Sequence, residues 1–191
     1  KTSEAANSFY GDYTPIFFYQ TAKIFGKDGD LAPDAMLLQV SPPDENGYCS
    51  YGLSCDYTKS ATESAKIVIA QINRFVPRTL GNCFLHIDDI DYIVLEDTPI
   101  PEIPAPIVGE IEEKIGSHCA SLINDGDTLQ LGIGAIPFAV LNFLKHKKDL
   151  GIHSEMVSDG IVDLIQAGVI TNKKKNFNPN KVIATFLLGT K

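Results

Sequence analysis

Short apolar runs alternate with polar, turn-rich stretches along the chain. Residues 16–19, 35–40, 67–72 and 92–95 have the length of strands and are rich in β-branched or aromatic side chains, which predicts four buried strands. Between the second and third lie the turn cluster Ser41-Pro42-Pro43-Asp44-Glu45-Asn46-Gly47 and residues 58–66, where Ala61, Ser64 and Ala65 give a helix a small-residue face. Residues 97–106 then carry four prolines. Proline removes amide donors and fixes φ, so this stretch reads as an extended linker between two halves.

Beyond the linker, residues 107–123 place Ile107, Ile111, Ile115, Ala120 and Ile123 at near-helical spacing. Glu110, Glu112 and Glu113 sit in the first turns, where the helix dipole favours them. Asn124-Asp125-Gly126-Asp127 ends that helix, and residues 128–131 form a strand that runs into Gly132-Ile133-Gly134-Ala135. Pro137 suits the first turn of a helix reaching about residue 145. A strand at 152–156, a helix at 159–167 and a strand at 182–188 complete a second run. The alternation of strand and helix in both halves predicts an α/β protein.

Composition narrows the function. Sixteen Lys and Arg against 24 Asp and Glu give a net charge of -8, so a surface for nucleic acid has no support. No apolar run approaches a membrane span and no leader pattern opens the chain, which points to the cytoplasm. Cysteines 49, 55, 83 and 119 form no CxxC pair and read as reduced, partly buried thiols. Without HxH, HExxH or DxD clustering, no metal site is expected. Lys1 is not a methionine, and Lys191 follows directly on an apolar strand, so both ends read as those of a fragment.

Two segments offer chemistry. The strand, glycine turn and helix at 128–145 put free amides at a helix N-terminus, a place for a phosphate or an oxyanion. It is neither a dinucleotide fingerprint, because Pro137 stands where the third glycine belongs, nor a Walker loop. Taken alone, a GxG turn is more often a tight connection than a site. His153-Ser154-Glu155 closes a predicted strand just before the helix-start cluster Ser158-Asp159-Gly160. Open α/β sheets place ligands at such strand ends. Glu155, next to Met156 and Val157, is expected to be partly desolvated, and its carboxylate could serve as nucleophile or base. By residue type alone a surface carboxylate in a loop is the commoner outcome. A Ser-His-Asp hydrolase lacks its GxSxG elbow, and His153 and Ser154 should point to opposite faces of a strand. His86 and His118 read as core or helix-face residues, and His146 as solvated among lysines.

Four segments in this order, residues 41–48, Gly132-Ile133-Gly134-Ala135-Ile136-Pro137, Gly151-Ile152-His153-Ser154-Glu155-Met156 with Ser158-Asp159-Gly160, and residues 185–190, closely resemble the acetyl-CoA hydrolase/transferase family, and within it the 4-hydroxybutyrate CoA-transferases. The resemblance covers essentially the whole chain. It implies two similar open α/β domains of the CoA-transferase (NagB/RpiA-like) type facing each other across a cleft, both incomplete here. Residues 1–98 would be the second half of the N-terminal domain, 99–106 the Pro-rich linker, and 107–191 the first half of the C-terminal domain. It further implies that Glu155 is the catalytic nucleophile, which takes CoA from acetyl- or butyryl-CoA as a glutamyl-CoA thioester and passes it to a carboxylate such as 4-hydroxybutyrate.

A glutamate carboxylate is ionised at neutral pH without help, so the chemistry needs neither a metal nor a general base. Its weak nucleophilicity is offset by proximity and oxyanion stabilisation. The amides of Gly132, Ile133, Gly134 and Ala135 are placed to serve the oxyanion or CoA, and Gln130 is a candidate substrate contact. The resemblance implies CoA as substrate and no permanently bound cofactor. It also implies ping-pong kinetics and a homodimer or higher homo-oligomer. The family's glycine-rich CoA-binding segment is absent here. Two other readings stand beside it: hydrolysis of acyl-CoA, and a non-catalytic CoA-binding subunit in which Glu155 would turn inward onto a cation.

Overall fold

A computed structural model describes residues 8, 11 and 13–190. The chain ends Lys1 and Lys191 lie outside the described residues. The first half is built on a parallel three-stranded sheet of β1 (Ala35–Val40), β3 (Ile67–Ile72) and β5 (Tyr92–Leu95), in the order β1-β3-β5. These are three of the four strands that the apolar runs predict, but β5 is not buried as expected: it lies at the sheet edge and is exposed along its whole length. Val40, Val68 and Ala70 point into a core that β2 (Tyr48–Ser50) and β4 (Phe84–His86), an antiparallel pair, close through Cys49 and Leu85. Helix α2 (Thr58–Ser64) leads into β3 and buries Ala61 and Thr62.

The strand predicted at 16–19 is not formed. Residues Phe18–Ile24 are helix α1, with Thr21, Ala22 and Phe25 at helical spacing from Phe18, and the Phe25 ring packs 5.1 Å from that of Tyr57. A four-residue apolar run carries too little length to separate the two periods.

The 97–106 segment contains no helix or strand, and it is held at both ends. The Arg74 backbone N–H donates to Asp97 at 2.8 Å, and Ile103 N–H donates to the Gly189 carbonyl at 2.9 Å.

Past the linker, helix α3 (Glu110–Ser121) starts where Glu112 reaches back to accept from Gly109 N–H at 3.1 Å. Its buried face differs from the isoleucine stripe read from sequence. Gly116 and Ala120 are buried, whereas Ile111 is 71% exposed. The small residues win because α3 lies directly against α4 (Ala135–Asn142), and close helix approach admits only short side chains. Strands β6 (Thr128–Leu129) and β7 (Gly151–Ile152) pair in parallel, as do β8 (Met156–Val157) and β9 (Phe186–Leu187). The strand expected at 152–156 is therefore split, and its two ends pair with different neighbours. Helix α5 (Asp159–Gln166) follows β8, and Leu144, Leu150, Ile152 and Ile161 form a fully buried centre.

The halves meet where the 53–55 segment runs antiparallel to β9, with Leu187 N–H on the Leu53 carbonyl at 2.9 Å. All four cysteines are free, with Cys49 and Cys83 buried. Among the described residues no helix is long and apolar enough to cross a membrane.

Candidate functional site

The parallel register Thr128↔Gly151 and Leu129↔Ile152 ends both strands on the same side of the sheet, followed by the glycine turn and by His153-Ser154-Glu155. One more ladder bond joins them, from His153 N–H to the Leu129 carbonyl at 3.0 Å. There the main-chain ladder stops and a side chain takes over. The Ser154 hydroxyl accepts from Leu131 N–H at 3.0 Å and donates to the Leu131 carbonyl at 2.9 Å. Leu131 immediately precedes the turn, so the turn and Glu155 are neighbours.

Gly134 has φ 131° and ψ 177°, a conformation that a side chain makes costly, and it leads directly into Ala135 at the start of α4. Nothing lies within 4 Å of where a Cβ on Gly132 would stand, so the space before the turn is open. Pro137 sits in the first turn of α4, where its missing amide hydrogen leaves no bond unmade. Gly132, Ile133 and Gly134 border a cavity, and no hydrogen bond is donated by the amides of residues 132–135 among the described residues.

Strand alternation fixes which side chains are presented. Ser154 and Met156 are buried while His153 and Glu155 are exposed, so the partial burial expected for Glu155 is not found. His153 and Ser154 do point apart, and the His153 ring stacks on Phe177 at 5.7 Å. The Glu155 backbone is clamped, its carbonyl accepting from Thr185 N–H at 3.0 Å and from Thr185 Oγ1 at 2.6 Å. Among the described residues its carboxylate has no hydrogen bond or ion pair. It does not turn inward onto a cation, the arrangement that marks a structural glutamate. Gln130 is exposed, one residue past β6.

Two depressions open beside these segments. A small one of about 70 Å³ is lined by Gly132, Ile133 and Gly134 together with Pro104, Phe138 and Asp159. A larger cleft of about 660 Å³ between the halves is lined by Leu53, Phe75, Ile103, Val157, Asp159 and Leu187, among others. Neither lining includes Glu155 or Gln130, which lie outside both walls, nor Ala135. Asp159 is engaged structurally, accepting from Thr190 N–H at 3.1 Å and Thr190 Oγ1 at 2.8 Å.

Several supporting residues escape a reading of sequence. Lys175 is 6% exposed, and its ammonium donates to the carbonyls of Ile152 at 2.7 Å and Lys181 at 2.6 Å, while burial lowers its pKa. Within Lys173-Lys174-Lys175 it looks like one more solvated charge. Asn172, at φ 60°, accepts from Ile152 N–H through Oδ1 at 2.9 Å, and the asparagine preference for that backbone region was the one available signal.

Residues 2–108 match the family model of the acetyl-CoA hydrolase/transferase N-terminal domain. The chain is 59% identical to the 4-hydroxybutyrate coenzyme A transferase of Clostridium kluyveri over all of its own length and 44% of that protein. It is 42% identical to the succinyl-CoA:cyclohexane-1-carboxylate CoA transferase of Geobacter metallireducens, with 98% of this chain and 42% of that one aligned. Among solved structures, it superposes on the 4-hydroxybutyrate CoA-transferase of Porphyromonas gingivalis with a TM-score of 0.88 at 46% identity, covering 93% of this chain and 45% of that one. RipA from Yersinia pestis gives a TM-score of 0.89 at 35% identity over 98% of this chain and 43% of that one. The chain thus spans less than half the length of these relatives.

Proposed function

Because the chain belongs to the acetyl-CoA hydrolase/transferase family, we propose that the protein carrying it transfers CoA from a short acyl-CoA, acetyl- or butyryl-CoA, to a carboxylate such as 4-hydroxybutyrate. Residues 1–98 then belong to the N-terminal α/β domain, 99–106 link, and 107–191 open the C-terminal domain that carries the nucleophile. A homo-oligomer in the cytoplasm, with CoA as substrate and no bound cofactor, completes the reading.

The observation that carries it is the Glu155 carboxylate: exposed in the bend between β7 and β8, unpaired among the described residues, and next to Ser154, whose hydroxyl ties this segment to the residue before the glycine turn. A free carboxylate on a rigid backbone is what nucleophilic catalysis requires. Glu155 attacks the acyl-CoA carbonyl, the C–S bond breaks, and CoA leaves as thiolate from an acyl-glutamyl anhydride. The thiolate then attacks the glutamyl carbonyl and expels the donor carboxylate, leaving glutamyl-CoA. The acceptor carboxylate attacks that thioester, and the released thiolate takes the new acyl group, restoring Glu155. No net proton is consumed. Each attack develops an oxyanion, and the Gly132–Ala135 amides are the donors available to it.

In the full-length protein, acyl-CoA without acceptor should add the mass of one CoA, and borohydride should reduce that thioester and stop turnover. Kinetics should be ping-pong, since the donor carboxylate leaves before the acceptor attacks. Glu155→Ala should abolish adduct and transfer with the fold intact, and Glu155→Asp, withdrawn by one methylene, should lose on the order of 100-fold in rate. Normal transfer in Glu155→Ala would overturn the assignment. Acyl-CoA loss that does not depend on added carboxylate identifies a hydrolase instead.

A further inference from the structure

We infer that Ser154 is a positioning residue whose buried hydroxyl sets the spacing between the Gly132–Ala135 turn and the Glu155 carboxylate. The inference rests on the reading of Glu155 as the CoA carrier and adds a residue which that reading does not itself require.

Ser154 is 5% exposed and Leu131 9% exposed, and past the His153 bond to Leu129 the hydroxyl, not main chain, meets both Leu131 N–H and Leu131 C=O. Its third contact is Met156 N–H, which donates to it at 3.4 Å. A serine hydroxyl has one hydrogen to give and two lone pairs to receive, so all its capacity is used inside the protein. It has nothing left for substrate, which excludes it as a nucleophile. Its leverage comes from sequence position. Leu131 immediately precedes Gly132 and Ser154 immediately precedes Glu155, so donors and nucleophile each hang one residue from the same oxygen.

On its other side the turn is tied to α4, with Phe138 N–H on the Gly134 carbonyl at 3.4 Å. Gly132 meets nothing within 4 Å of a Cβ position, and Gly134 has only Pro137 Cδ at 4.0 Å. The far side of Glu155 is pinned independently by Thr185. Removing the hydroxyl therefore frees the turn relative to a nucleophile that stays in place. Misplacement on the scale of 1 Å costs on the order of 100-fold in rate, and loss of one aligned oxyanion donor costs about as much. Binding contacts elsewhere on CoA are untouched, so the loss should fall on turnover.

The test uses the full-length protein with acetyl-CoA and 4-hydroxybutyrate. Ser154→Ala should lower kcat roughly 10- to 100-fold, leave KM for acetyl-CoA within about threefold, and slow formation of the CoA adduct in proportion. Ser154→Thr, which keeps the hydroxyl, should restore most of the rate. Ser154→Cys, nearly the same shape but a weak donor on a longer bond, should fold and fall between them. Parent kcat in Ser154→Ala or Ser154→Cys, or an effect confined to KM, overturns the inference. If Ser154→Ala does not fold, the kcat of Ser154→Cys decides alone. Glu155→Ala run in parallel separates the two failures. Turnover surviving there removes the reading of Glu155, whereas a dead Glu155→Ala beside a fully active Ser154→Ala removes only the role of Ser154.

Discussion

Exchanging Gly116 for alanine sets two physical effects of opposite sign against each other. The residue lies inside α3 with ordinary helical backbone, so helix propensity alone would stabilise the alanine form by about 1 kcal/mol. A Cβ there, however, would stand 2.9 Å from the Ala139 carbonyl carbon, 3.0 Å from Ala139 Cβ and 3.0 Å from Val140 N. These are backbone atoms of α4 or a methyl fixed to it, and none can rotate aside. Carbon atoms rest at about 3.5 Å or more, so the helices must part by roughly 0.5 Å. Over-packing by one methyl costs about 1–3 kcal/mol, which leaves a net loss of about 1 kcal/mol after the propensity gain. For a chain of this size that is a fall of about 2–4 °C in melting temperature. Calorimetric or circular-dichroism melting measures it, with Ser117→Ala, exposed on the same helix, as the control that reports propensity without contact. Because α4 carries the turn at its N-terminus, turnover should also drop severalfold. A Gly116→Ala protein that melts above the parent, as propensity alone demands, would refute the close packing of α3 on α4.

Two further outcomes follow from single residues. Gly134→Ala should cost turnover far more than it costs binding, because φ 131° is unfavourable for alanine and relaxing it re-aims the amides at the start of α4; steady-state kinetics with unchanged kcat would contradict that. Acid should loosen the first half first. Asp44 is held below its usual pKa of 3.8 chiefly by the Tyr48 N–H, with Asn46 N–H and Arg78 assisting, and Asp97 chiefly by the Arg74 N–H and guanidinium. Depressed carboxylates contribute stability that is complete above their unfolded pKa and lost as pH falls through the lower folded value. Melting temperature should therefore be flat with respect to these groups above about pH 5 and fall below pH 3.8, and Asp97→Asn should flatten that acid limb.

How far the sequence reaches depends on where the information sits. The runs at 35–40, 67–72 and 92–95 coincide with β1, β3 and β5 because their length and β-branched content are those of strands, but their burial was not legible: β5 is exposed along its whole length. Strands β2 and β4 have three residues each and mix polar with apolar side chains, so no period marks them. The isoleucines of α3 mislead because burial there is decided by helix approach, which selects Gly116 and Ala120. At the site, the motifs singled out Glu155 and the glycine turn as candidates, and strand alternation gave the opposite faces of His153 and Ser154. What alternation could not supply is the partner of Ser154, which exists only once residue 131 is set beside residue 154.

That register is itself protected by the same alternation. Ile152, Ser154 and Met156 point inward at 0%, 5% and 4% exposure, between the outward His153 and Glu155. A slip of one residue would drive the Glu155 carboxylate toward Leu131 in the core and turn Ile152 and Met156 out to solvent. The cost of burying an unpaired carboxylate forbids it. The cost of burying the Glu155 carboxylate thus helps hold the strand against a one-residue slip, and the small polar Ser154 beside it fits the inward position and still completes the ladder to the turn.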